Sequence, residues 1–180
     1  MDRIKRVSVW FKWIFLVTLV ALPVLDALLW ACAEPFQLLD ALRESSATFS
    51  GLPAGLEMPW DVRLLTFGAG LLPLGANLVG IYFLMRLFRL YAAGEIFSLA
   101  NVRCFRWIGW AIIGRQAVDP AYQALTTAAL TMHNPAGERL IGVGVSDVNV
   151  TQLLIGFVIL VISWVMDEGR RLQEEEALVI

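Results

Sequence analysis

Apolar residues gather in four long stretches, at about 10–32, 64–91, 107–132 and 151–166, and polar positions between them are short and crowded. About 20 residues at 1.5 Å each cross the roughly 30 Å of bilayer hydrocarbon, so the four stretches read as membrane-length and their crossings use roughly half of the chain. The pattern predicts four transmembrane helices in one unit: connections at 33–63, 92–106 and 133–150, and a tail at 167–180.

The connections differ. Phe36, Leu38, Leu39 and Leu42 recur at partly helical spacing, which predicts an amphipathic helix in the first; Ser45-Ser46, Gly51, Pro53, Gly55 and Pro59 then end it. Alternating valines from Val143 to Val150 predict a short extended turn, with Thr151 as N-cap of the fourth helix. Asn149-Val150-Thr151 matches a glycosylation triplet, a pattern common by chance. In the middle connection Gly94 is placed to end the second helix and Ser98 to cap a new one, with Val102, Phe105 and Ile108 opposite Arg103 and Arg106.

Charge orients the spans. Arg3, Lys5, Arg6, Lys12, Arg86, Arg89, Arg103, Arg106, Arg170 and Arg171 fall at the N-terminus, the middle connection or the tail; Arg43, Arg63 and Arg139 fall in the other two connections. The positive-inside rule then puts both termini in the cytoplasm. Tryptophans support the same boundaries: Trp10, Trp13, Trp107, Trp110 and Trp164 near the inner ends, Trp30 and Trp60 near the outer ones. The expected fold is an all-α integral membrane four-helix bundle in a bacterial inner membrane. A signal-peptide reading of the first stretch fails because its apolar run is too long.

Composition agrees, with 58% hydrophobic and 17% charged residues and a mean hydropathy of +0.69, against about a quarter charged in soluble domains. The net charge of -2 gives no sign of direct nucleic-acid binding. Cys32 and Cys104 fall on opposite sides of the bilayer in this topology and cannot pair. The single histidine, His133, has no metal-ligand spacing around it; no Ser-His-Asp set, zinc motif or phosphate loop exists, so no enzyme, metal or cofactor is expected.

Three ionisable residues sit within the stretches: Asp26, Arg115 and Asp119. Burying one costs about 2.5–3.5 kcal/mol on insertion scales, so each needs a reason. Arg115 and Asp119 are four apart on one helix face and can pair, and Pro120 frees a carbonyl near Gln116. Counting along the helices puts Asn77 and Asp119 at similar depth, roughly 17 and 18 Å from the inner boundary. Asn77, Arg115 and Asp119 are therefore the candidate ligand or ion site, with interhelical adhesion as the competing reading. Small residues at Ala76, Gly80, Ala117, Ala121, Ala124 and Ala128 offer close-approach stripes. Asp26 lies nearer outer water. In the tail, Arg170 with Glu174 and Arg171 with Glu175 are i, i+4 pairs, and Leu172, Leu178, Val179 and Ile180 offer apolar contacts.

The string from Gly94-Glu95-Ile96-Phe97-Ser98 to Asn101-Val102-Arg103, then Ile108-Gly109-Trp110, and the closing Gly169-Arg170-Arg171-Leu172-Gln173-Glu174-Glu175, resemble the bacterial domain-of-unknown-function family 2975. The resemblance implies a small four-span inner-membrane protein, some of whose relatives lie beside small helix-turn-helix regulators of the Xre type, and hence such a regulator as a cytoplasmic partner. Phe97, Ser98, Asn101, Arg103, Arg106, Arg170, Arg171 and Leu172 are the candidate contacts. The function expected is non-enzymatic regulation or sensing through that partner. Two alternatives stand beside it: a small oligomeric transporter or channel using Asn77, Arg115 and Asp119, and a structural subunit of a larger membrane complex.

Overall fold

A computed structural model describes the chain except residues 1, 33, 46, 51, 53–57, 96, 97, 136, 179 and 180. Among the described residues the structure is helical, with no strand. Its elements are α1 (Asp2–Cys32), α2 (Pro35–Ser45), α3 (Ala47–Ser50), α4 (Trp60–Ala93), α5 (Leu99–Leu130) and α6 (Asp147–Leu178). Pro23, Pro73 and Pro120 lie inside α1, α4 and α5, and each helix runs on past its proline. Three helices are long and apolar enough to cross a membrane, over Arg6–Cys32, Trp60–Ala93 and Asp147–Leu172. α5, the expected third span, is not among them, because Arg115, Gln116, Asp119, Gln123, Thr126 and Thr127 break its apolar run.

That polarity faces inward. Gln116, Asp119, Gln123, Thr126 and Thr127 are all buried, whereas α1 exposes Trp10, Trp13, Val17, Val20 and Leu25. A helix whose polar groups are covered and whose partners show apolar faces outward is the arrangement hydrocarbon demands.

The chain forms two compact units. The first comprises Met1–Ala21, Ala76–Gly114 and Thr151–Ile180, and the second Leu22–Gly75 and Arg115–Val150. In the first, Leu87, Cys104 and Ile108 form a buried cluster with Phe83, Leu90 and Tyr91 packed on it. Phe11 stacks on Phe88 with ring centroids 4.9 Å apart, and Phe83 on Trp107 at 5.5 Å. α5 and α6 meet there through glycine: a Cβ at Gly109 would lie 2.8 Å from Leu160 and one at Gly156 would lie 2.8 Å from Ile113. Of the expected small-residue stripes, Gly80 does approach Ala111, at 3.5 Å from an added Cβ, but Ala117 and Ala121 are exposed.

The turn into α5 follows from its residues. Gly94 has φ 88°, the left-handed geometry that glycine adopts without strain. Its N–H donates to the Tyr91 carbonyl and that of Glu95 to Leu90, both at 3.0 Å, which is a Schellman closure of α4. Ser98 is the N-cap of α5: its carbonyl accepts from Asn101 and Val102 at 3.0 and 3.2 Å. The Asn101 side chain, fully buried, donates to the Glu95 carbonyl at 2.6 Å. One helix therefore runs through both the expected connection and the expected span, starting at Leu99 rather than near Trp107. Val102 and Ile108 are buried and Arg103 and Arg106 exposed, as their spacing requires.

In the second unit Leu38, Leu39 and Leu42 of α2 are buried with Trp30, Phe49, Val62 and Leu130, so the amphipathic helix turns its apolar face to protein. Trp30, near the end of α1, is part of this core at 8% exposure. Arg63 explains part of that. Its guanidinium donates to the carbonyls of Trp30 and Ala31 at 3.2 and 3.5 Å and stacks over Trp60 at 5.1 Å, closing the end of α1. His133 has a partner too, the Asp61 carboxylate at 2.8 Å, on the exposed surface.

Candidate functional site

The most developed polar constellation lies in the second unit, where residues 140–146 run extended along α5. Asp119, Gln123, Thr127 and Thr131 are spaced by four, so they form one stripe along the α5 axis. Four helical residues rise about 6 Å, and two extended residues advance about 6.8 Å, so every second residue of an extended chain can meet one rung of such a stripe. The rungs are occupied in that register. Thr131 Oγ1 accepts the Leu140 N–H at 2.9 Å, Thr127 Oγ1 the Gly142 N–H at 2.9 Å, and Gln123 Oε1 the Gly144 N–H at 2.7 Å. Both threonine hydroxyls donate back into α5, to the Thr127 and Gln123 carbonyls at 2.8 and 2.9 Å.

Gln123, 3% exposed, is the hinge pin of this seam. Its Oε1 also accepts from the Thr48 hydroxyl of α3 at 2.6 Å. Its Nε2 donates to the Gly144 carbonyl at 3.1 Å and to Asp119 Oδ2 at 2.7 Å. All four bonding positions of the amide are used. Glycine is needed opposite it, because a Cβ at Gly142 would lie 2.9 Å from Thr48 Cγ2 and one at Gly144 would collide with Thr48 Oγ1.

The seam ends at Asp119. Its Oδ1 accepts from Arg115 Nη1 at 2.7 Å, while Oδ2 accepts from Gln123 and, at 3.1 Å, from Asn149 Nδ2. Asn149 also donates to Gln116 Oε1 at 2.8 Å. Asn149 comes from the first turn of α6, which begins at Asp147 with Ser146 as N-cap: the Ser146 carbonyl accepts from Asn149 and Val150 at 3.0 and 3.3 Å. Asn149 Oδ1 takes the Ser146 N–H at 3.2 Å and its hydroxyl, the returning half of a capping box. This corrects the expected cap: Thr151 lies inside α6. The Asn149 amide is engaged on both sides.

Asp119 thus carries three donors and Gln123 four partners, so both side chains are fully committed to holding the seam. Among the described residues no group of three metal-binding side chains exists. Cys104 is buried in the other unit.

The remaining expected site residues are spread out. Asn77 belongs to the first unit and occupies an exposed position of α4. Ser98 and Asn101 shape the turn into α5, and Phe97 lies outside the described residues. Arg106 and Arg171 each approach Asp167 at 3.9 Å; Arg170 contacts Asp167 at 3.2 Å and Glu174 at 2.6 Å. So Arg170 and Glu174 pair as spaced, whereas Arg171 is turned toward Asp167, not Glu175. Leu172 is exposed, as is Arg103.

A profile of one protein family matches residues 10–180, nearly the whole chain. The chain belongs to the DUF2975 family of proteins of unknown function. No curated protein and no solved structure matches it. Membership in DUF2975 agrees with the resemblance carried by the Gly94–Arg103 and Gly169–Glu175 strings, and the match extends it over α1, α2 and the seam. Gln116, Gln123, Thr127, Thr131 and Asn149 were not among the expected site residues. The signal that finds four of the seam's members is the i, i+4 run from Asp119 to Thr131, read together with Gly142 and Gly144 two apart.

Proposed function

We propose that this protein is a non-enzymatic, multi-pass protein of the bacterial inner membrane, with α5 as a fourth crossing and both termini cytoplasmic, that acts by binding an acidic cytoplasmic partner. The observation that carries the reading is a basic surface in the first unit. Arg86, Arg89 and Arg103 are exposed and, among the described residues, form no ion pair, whereas Arg106, Arg170 and Arg171 gather on Asp167. Exposed cations without counter-charges lower the cost of meeting an anionic surface and speed its capture. A small helix-turn-helix regulator with an acidic face is the partner the family resemblance favours, and Ser98 and Asn101 serve by fixing where Arg103 stands.

Transport through Asn77, Arg115 and Asp119 has less support, since Arg115, Gln123 and Asn149 already occupy the Asp119 carboxylate. Adhesion by polar groups, about 0.6–2 kcal/mol per pair between membrane helices, accounts for that cluster. The test is photo-crosslinking in cells from a probe at Leu99, comparing the parent protein with the triple variant Arg86→Glu, Arg89→Glu, Arg103→Glu. A protein adduct that disappears in the variant supports the reading. An adduct of unchanged yield, or lipid adducts alone, overturns it.

A further inference from the structure

We propose that residues 140–145 form a re-entrant segment whose outward side chains contact lipid acyl chains. The rungs made by this segment run from Thr131 back to Gln123, eight residues, so it descends about 12 Å along α5 from its C-terminal end. No charged residue lies between Arg139 and Asp147, and the apolar run of α6 follows from Leu153. The two sides of the segment are unlike. Gly142 and Gly144 face α5 and Thr48, while Ile141, Val143 and Val145 point away at 77%, 56% and 78% exposure.

Extended backbone at membrane depth is tolerated only where its polar groups have protein partners. Here the N–H groups of Leu140, Gly142 and Gly144 are met by Thr131, Thr127 and Gln123, and the Gly144 carbonyl by Gln123. The same three bulky side chains would form an unfavourable apolar ridge in water and none in hydrocarbon. The chemistry that fits them is the acyl region of the bilayer rather than its headgroups, since no cation or hydrogen-bonding side chain stands among them.

The experiment uses the full chain in phospholipid vesicles, in a Cys32→Ala background. Spin labels at Ile141→Cys, Val143→Cys and Val145→Cys are compared with Arg139→Cys for relaxation by oxygen and by a water-soluble nickel chelate. The expected result is a shift from nickel to oxygen after Arg139, deepening over about 14 Å from Ile141 to Val145. Nickel access at all three positions, equal to that at Arg139→Cys, overturns the proposal. A second readout needs no substitution: vesicles containing a diazirine-bearing acyl chain are irradiated and the labelled peptides mapped. Label on 140–145 comparable to that on exposed Leu154 and Val158 is expected; label on α6 alone contradicts it.

Discussion

The turn into α5 and the segment into α6 end alike, in Ser98-Leu-Ala-Asn101 and Ser146-Asp-Val-Asn149, yet they are held by different means. In each the serine is the N-cap. Asn101 turns back on its own turn, to the Glu95 carbonyl six residues away. Asn149 reaches across to Gln116 and Asp119, about thirty residues earlier in the chain. The first closure is local and depends on Gly94 geometry. The second borrows α5 as a template, and without it residues 140–146 would have almost no partners for their backbone. One motif thus serves a self-contained turn and a long-range lock.

Substitutions should separate the two. Asp119→Ala removes the acceptor shared by Arg115, Gln123 and Asn149, leaving a part-buried guanidinium without its counter-charge; a loss of about 3 kcal/mol is expected, read as the largest fall in detergent melting temperature of this series. Gln123→Leu keeps the volume and removes the rung to Gly144 and Thr48, for about 2 kcal/mol, with new proteolysis confined to 140–146. Gly94→Ala places a Cβ at positive φ and costs about 1 kcal/mol, without exposing 140–146 to protease. Arg170→Ala, which removes a part-buried ion pair to Asp167 and one to exposed Glu174, lowers the melting temperature least of the four. A larger effect from Gly94→Ala than from Asp119→Ala would invert the comparison.

What the sequence made legible follows the same division. Three long helices, the amphipathic α2, the Gly94 stop, the Ser98 cap and the Arg115–Asp119 and Arg170–Glu174 pairs all rest on residues within a few positions of each other, where periodicity and capping chemistry operate. The seam joins two patterns of different period, a four-residue stripe and a two-residue alternation, and only the alternation stands out on its own. Val143 to Val150 reads as a turn and Thr151 as a cap because the valine alternation overlies the local Ser146-Asp-Val-Asn149 capping pattern. The tie between Arg63 and the Trp30 carbonyl, thirty-three positions apart, has no local signal.

Backbone hydrogen exchange at Gly142 and Gly144 tests the central claim, that α5 side chains hold the extended segment. In the parent protein both amides should exchange as slowly as those of Gly94 and Glu95; in Gln123→Leu the Gly144 amide should lose that protection while Gly94 and Glu95 keep it. Fast exchange at Gly142 and Gly144 in the parent protein, or protection at Gly144 unaffected by Gln123→Leu, would contradict the account.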